Sequence, residues 1–236
     1  MSFFKKSYLK MMISWYGIKK MVALRYLKRN GLKKRSIILC FHDICIGENE
    51  GLFSISYSRF EEIIVRYSEQ FISLDEISAK NGLVLTFDDA YFNVFSLAYP
   101  LLKSLKIPFT VFMSTDFIGK AGYLDENAIE TLSKDPLCII GAHMCSHRKT
   151  REMNKEEIKR EWVDSKKIIE ELISKPVSYA ALPYGSIESC SKSSIKIGLH
   201  CGYEKIATTL AYPYKCGRVI PRFVYSRNRS FITDFL

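Results

Sequence analysis

The stretch "LVLTFDDAYFN", Leu83 to Asn93, decides how the chain is read, because five strand-favouring residues stop abruptly at two adjacent carboxylates, Asp88 and Asp89. The run Leu83–Phe87 is short, apolar and entered through Asn81-Gly82, which are the marks of a buried strand. Two neighbouring negative charges at its exit repel each other, so they need a cation, a proton or solvent close by. On these residues alone, a solvated turn in which Asp89 caps the next helix accounts for the pair equally well.

Similar apolar runs recur on both sides of this one: "SIILCF" (36–41), "IPFTVFMS" (107–114), "LCIIGA" (137–142), "VSYAAL" (177–182), "KIATTL" (205–210) and "RVIPRFV" (218–224). Amphipathic stretches lie between many of them. In the clearest, 154–174, Asn154 and Glu157 form a capping box, and Ile158, Trp162, Ile169 and Leu172 share one face. "SRFEEIIVRY" (58–67), "FSLAYPLLKSL" (95–105, with Pro100 as a kink) and "IESCSKSSIKIGL" (187–199) read as further helices. Strands alternating with helices predict an α/β fold with a parallel sheet, and about seven such units predict a distorted (β/α) barrel. A doubly wound open sheet is the alternative. At 236 residues and 47% hydrophobic, with no repeat or linker in view, the chain has the makings of one large domain over 36–236.

The net charge of +10 belongs to one end. Residues 1–35 carry eleven Lys or Arg and no acidic residue, leaving 24 basic against 25 acidic side chains in the rest. With Phe4, Tyr8, Met11, Trp15, Ile18 and Val22 at helical spacing, this segment suits a basic amphipathic helix lying on an anionic membrane surface; a helix packed on the domain fits the period as well. Lysines interrupt every apolar run well short of the roughly 20 residues of a spanning helix. Charge confined to one end, without a recognised module, disfavours a nucleic-acid partner. Seven cysteines, an odd number with no CxxC pair, suggest neither a disulfide framework nor a thiolate zinc cage, and they lean towards a reducing compartment. Cys40 and Cys138 read as small core residues.

Polar residues collect where the predicted strands end. His42-Asp43 follows the first run, Asp88-Asp89 the second, His143 the fourth and Pro183-Tyr184-Gly185 the fifth, so that three of the four histidines fall at or just beyond carboxyl ends. In a parallel barrel those ends share one rim, where chemistry is found. His143 and His147, with three residues between them, can reach one metal from a single turn. An aspartate from a neighbouring strand end, for which Asp89 is the candidate, would complete a two-His-one-carboxylate site with open positions. Asp88 is then free to act as a base.

Taken together, "TFDD" at 86–89, "HMCSH" at 143–147 and "LPYG" at 182–185 resemble the first three motifs of the polysaccharide deacetylases of carbohydrate esterase family four, the NodB-homology domain. The similarity runs from about Ser36 to Phe223. It implies a distorted barrel, a divalent metal (zinc foremost, with cobalt, nickel or iron as alternatives) and hydrolysis of acetamide groups on N-acetylhexosamines. It also implies Asp88 as base and Asp89, His143 and His147 as metal ligands, with Pro183 and Tyr184 at the substrate.

Three departures stand out. Met144 replaces the usual hydroxyl residue after the first metal-binding histidine. Ala181 stands where the family commonly has an arginine that steadies the catalytic aspartate; Arg222 in "IPRF" is a candidate to replace it or to meet substrate, although a surface arginine is the plainer reading. No histidine motif for a general acid stands near the carboxyl terminus. His200 precedes a strand at the wrong end of the barrel, whereas His42 resembles the amino-terminal histidine of the poly-N-acetylglucosamine deacetylase branch. The expected activity is metal-dependent removal of N-acetyl groups from a glycan, at the cytoplasmic side and peripheral to the inner membrane face. Hydrolysis of a non-sugar amide and non-catalytic carbohydrate binding are the alternatives.

Overall fold

The computed structural model describes residues 36–47, 51–209 and 217–226. The basic amphipathic segment expected over 1–35 lies outside the described residues. Ten strands occur among those described: β1 (Ile37–Phe41), β2 (Asp43–Cys45), β3 (Ser54–Ser56), β4 (Leu83–Phe87), β5 (Phe109–Met113), β6 (Cys138–Ala142), β7 (Tyr179–Ala181), β8 (Lys205–Thr208), β9 (Val219–Pro221) and β10 (Phe223–Val224). Eight of them form one sheet in the order β10-β1-β4-β5-β6-β7-β8-β9, and every pairing is parallel. β2 and β3 form a separate parallel pair.

Each of the seven apolar runs supplies a piece of the large sheet. Its eighth strand arises because the last run is split. Pro221 has no N–H to give the ladder, and the chain changes partner just beyond it, at Phe223. The Arg222 N–H donates to Thr208 O on β8 at 2.8 Å, whereas Leu39 and Cys40 of β1 pair with Phe223 and Val224. The two outer strands are therefore consecutive in sequence, with Arg222 alone between them. An open doubly wound sheet would hold its edges far apart; this one nearly closes into the expected barrel.

Strand residues divide by alternation into two apolar groups, as the two-residue period requires. Ile38, Val84, Phe112, Tyr179, Ala181, Ala207 and Ile220 cluster with Leu74 from the 3-10 turn Leu74–Ser78 and fill the barrel. Leu39, Phe41, Leu85, Phe87, Val111, Ile140, Ala180 and Ile206 join the helices outside. All five residues of β4 are buried, as expected of a strand covered on both faces.

The longest helix, Lys155–Ile173, begins at the expected capping box: Asn154 Oδ1 accepts from the Glu157 N–H at 2.9 Å, and Glu157 Oε2 accepts from the Asn154 N–H at 2.7 Å. Its inner face carries Ile158, Trp162, Ser165, Ile169 and Ile173, with Trp162 fully buried. The helix expected at 58–67 is Tyr57–Arg66. That at 95–105 starts as a π-helical turn, Val94–Ala98, and continues as Tyr99–Ser104 with Pro100 in its first turn. That at 187–199 shortens to Lys192–His200, because Ser186 and Ser189 tie the preceding residues into a turn and Ser191 caps the Ser194 N–H at 3.1 Å. A further helix, Glu126–Lys134, went unread in the sequence although Asp125 caps it through the Ala128 N–H at 2.8 Å. No helix of the described residues is long and apolar enough to cross a membrane.

Gly141 on β6 makes room for the barrel filling. A Cβ there would meet the Phe112 ring at 2.5 Å and Tyr179 O at 2.9 Å. Gly141→Ala is therefore expected to lower stability by about 1–3 kcal/mol through overpacking, measured as a lower urea midpoint at unchanged slope.

Candidate metal centre

Three strand ends build the site, and each does so with a backbone that side chains other than glycine seldom adopt. After β4, the Asp88 N–H still donates to Phe41 O at 2.9 Å, and then Asp89 and Ala90 take φ of 66° and 60°. After β6, the His143 N–H donates to Met113 O at 2.8 Å, and Met144 and His147 have φ of 63° and 56°. After β7, Tyr184 has φ of 61°. Left-handed residues with a Cβ cost energy and persist where surrounding structure holds them. Only Lys106 and Ser174, of the non-glycine residues so placed among those described, lie outside these three turns.

The turns bring Asp89, His143 and His147 together. One ligand atom from each lies within 4.8 Å of the others. Asp89 Oδ1 is 3.5 Å from His143 Nε2 and 3.0 Å from His147 Nε2. It is also a buried oxygen with no hydrogen-bond donor among the described residues. Such an acceptor facing two imidazole nitrogens is in the state a cation would relieve. His143 Nδ1 is 2.9 Å from Ala181 O, so that nitrogen carries the proton, and the Nε2 lone pair faces the aspartates. Burial lowers the His143 pKa to about 4 despite Asp88 and Asp89, and the ring is neutral at neutral pH, as a metal ligand must be. The donor set fits a divalent ion of the zinc type.

Asp88 has a different environment. Its carboxylate is gripped by Arg222, with Nη1 2.5 Å from Oδ1 and Nη2 2.7 Å from Oδ2, and both side chains are buried. Burial pushes the Asp88 pKa up, but the guanidinium outweighs it and holds the carboxyl well below the usual carboxylate range. For Asp89, burial is likewise outweighed by the adjacent imidazoles, and the net direction is down. The plainer reading of Arg222 as a surface residue is thus corrected. The residue is 4% exposed and its guanidinium lies 5.3 Å over the Phe112 ring inside the barrel, held by Asp88 rather than by solvent.

His42 also stands at this rim. A ring nitrogen of His42, an Asp88 oxygen and Cys40 Sγ lie within 4.8 Å of one another. Burial lowers the His42 pKa while Asp88 and Asp89 act to raise it, and its Nδ1 is buried without a partner. Cys40 is wholly buried beside this group, with its thiol pushed well up by burial, so it stays protonated and is a poor ligand. Tyr184 is exposed, its ring centroid 4.9 Å from that of His147. Pro183, expected to line the substrate, is buried, and its carbonyl accepts from the Gly185 N–H at 2.7 Å. Met144 is fully buried in the apolar core. His200 ends its helix, exposed, with Nδ1 2.6 Å from Lys196 O. Two contributors escaped the sequence reading: the Ala181 carbonyl, which no side-chain pattern can reveal, and Glu161, which holds the loop between His143 and His147.

The family model described as "Polysaccharide deacetylase" matches residues 76–206. Among curated relatives, YxkH of Bacillus subtilis is 22% identical over 150 residues, which are 64% of this chain and 52% of the relative. The chain thus spans about half the length of that protein. A poly-beta-1,6-N-acetyl-D-glucosamine N-deacetylase of Staphylococcus aureus is 25% identical over 196 residues, covering 71% of this chain and 68% of the relative. Of solved structures, IcaB from Ammonifex degensii superposes with a TM-score of 0.70 at 20% identity, over 82% of this chain and 93% of that one, a likeness of fold.

Because the Arg222–Asp88 pair is buried, removing the cation alone strands a charge. Arg222→Met is expected to lower stability by about 3–5 kcal/mol, and adding Asp88→Asn should recover part of that loss in urea unfolding. The Asp88 contribution has a definite sign: its folded pKa is depressed, so the stabilisation is present above the unfolded value and is lost as pH falls through the folded one.

Proposed function

Because the chain belongs to the polysaccharide deacetylase family, we propose that it hydrolyses the N-acetyl group of N-acetylhexosamine residues in a polysaccharide or glycoconjugate, with Asp89, His143 and His147 holding a divalent metal, zinc foremost. The observation that carries the reading is the convergence of these three side chains, with no Lys or Arg paired to them among the described residues, beside a second carboxylate that is ion-paired to Arg222. The S. aureus relative is named for poly-beta-1,6-N-acetyl-D-glucosamine, which makes that polymer the first substrate to test. When bound, the ion supplies Lewis acidity to the acetamide carbonyl and to a water.

The chain's own residues account for the proton movements. Arg222 holds the Asp88 carboxyl well below the usual carboxylate range, so it stands as a carboxylate able to accept a proton from the attacking water. An amide nitrogen does not depart as an anion, so a proton must reach it as the C–N bond breaks. His42, next to Asp88, is the donor proposed. Burial, the larger influence, favours its neutral form and so makes the ring a ready proton donor once charged, while the two carboxylates favour its charged form. Negative charge growing on the former carbonyl oxygen would be met by the Tyr184 backbone N–H in its left-handed turn. The Tyr184 ring, exposed beside His147, is proposed to lie against a sugar face. Residues 1–35, with their eleven basic side chains, are proposed to rest on the cytoplasmic membrane surface.

Two contacts support catalysis over carbohydrate binding alone: Arg222 on Asp88, where Ala181 offers no cation, and Glu161 on the loop between the histidines. Acetate release from poly-β-1,6-N-acetylglucosamine and chitooligosaccharides is the test. The zinc-loaded protein should release acetate, lose that activity to a chelator and regain it with zinc. Asp88→Asn and His42→Ala should each slow release by about 10²–10⁴-fold while zinc content stays at the wild-type level. Absence of acetate from every N-acetylhexosamine oligomer, with zinc bound, overturns the reading.

A further inference from the structure

We propose that Glu161 is a positioning residue for the metal centre, its carboxylate substituting from a neighbouring helix for the hydroxyl side chain that Met144 lacks. The inference rests on the assignment of His147 as a ligand. The carboxylate takes three hydrogen bonds from the loop that joins the two histidines. Glu161 Oε2 accepts from the N–H groups of Cys145 at 2.8 Å and Ser146 at 3.0 Å, and Oε1 accepts from Ser146 Oγ at 2.5 Å. Successive N–H groups after a left-handed residue converge on an anion, and here the anion is built into the fold.

The opposite side of the loop is tied as well. Met144 O accepts from the Thr115 N–H at 3.2 Å and Cys145 O from the Asp116 N–H at 3.1 Å. Those two bonds hold the beginning of the loop; those to Glu161 reach Ser146, the residue directly before His147. His147 itself has φ of 56°, a conformation that needs restraint from outside. Glu161 offers that restraint on a rigid base, because the next residue, Trp162, is fully buried and its Nε1 donates to Ser194 O at 3.0 Å. Without the carboxylate, two loop N–H groups would lose their acceptor, and the His147 ring would no longer be held 3.0 Å from Asp89 Oδ1.

Zinc affinity, measured by competition with a chromophoric chelator, and the visible spectrum of the cobalt-loaded protein together test this. Glu161→Ala should weaken zinc binding about 10- to 100-fold and alter the cobalt spectrum. Glu161→Gln, whose carbonyl can still accept from both N–H groups while its amide faces Ser146 Oγ, should restore most of the affinity and the wild-type spectrum. In a His147→Ala background the Glu161→Ala effect should vanish, because the two residues act through one contact. If Glu161→Ala does not fold, Glu161→Met, which keeps the stem and lacks the acceptors, takes its place. A folded variant with wild-type affinity and spectrum overturns the role of Glu161, as does a loss of equal size in the His147→Ala background. Failure of the wild-type protein to bind zinc overturns the metal assignment itself, and this inference with it.

Discussion

The ion pair between Asp88 and Arg222 is the constraint around which the structure is organised. It joins β4 to the point at which β9 becomes β10, so the same contact orients the proposed base and nearly closes the barrel. Two buried charges are costly to desolvate and repay it only with good geometry. Here the geometry is a two-pronged match of guanidinium to carboxylate, with the cation resting on the Phe112 ring and Thr86 Oγ1 3.5 Å from Nη1. Gly141 permits that ring to be there. A chain of small steric decisions therefore ends in the charge state of one carboxylate.

Adjacent aspartates, alike in sequence, acquire different properties from their surroundings. Asp88 is satisfied by a permanent cation from the protein. Asp89 faces two imidazoles and keeps an oxygen without a donor. The left-handed backbone at Asp89 and Ala90 makes this division by turning the chain sharply at the strand exit, so that neighbouring side chains serve separate partners. Similar turns at Met144, His147 and Tyr184 place conformational cost at the rim, where it is offset by hydrogen bonds such as those to Glu161.

Much of this was legible in the residues. Apolar runs marked the strands because parallel strands covered on both faces must be apolar throughout, and the residues after them formed the rim because a parallel barrel leaves no other arrangement. The capping box at Asn154 and Glu157 placed the start of the long helix to the residue. What stayed hidden depended on register or on backbone atoms. An arginine after Ile220-Pro221 reads equally as surface or core until the strand pairing shows that the ladder breaks there. The Ala181 carbonyl that orients His143 carries no side-chain signature. Glu161 looks like any polar helical position next to Trp162, and the loop it binds is fifteen or sixteen residues away. The different burial of Pro183 and exposed Tyr184 likewise follows from the turn, not from the motif that contains them.

The split final strand has a consequence for biogenesis. Asp88 and Arg222 are 134 positions apart, so during synthesis the carboxylate leaves the ribosome long before the guanidinium that will neutralise it. Throughout that interval the half-built sheet has β1 available as an open edge, ready to pair with whatever strand arrives first. Correct docking of residues 219–225 both seals that edge and supplies the missing counter-charge. Closure of that edge and neutralisation of the buried carboxylate thus depend on the same short segment.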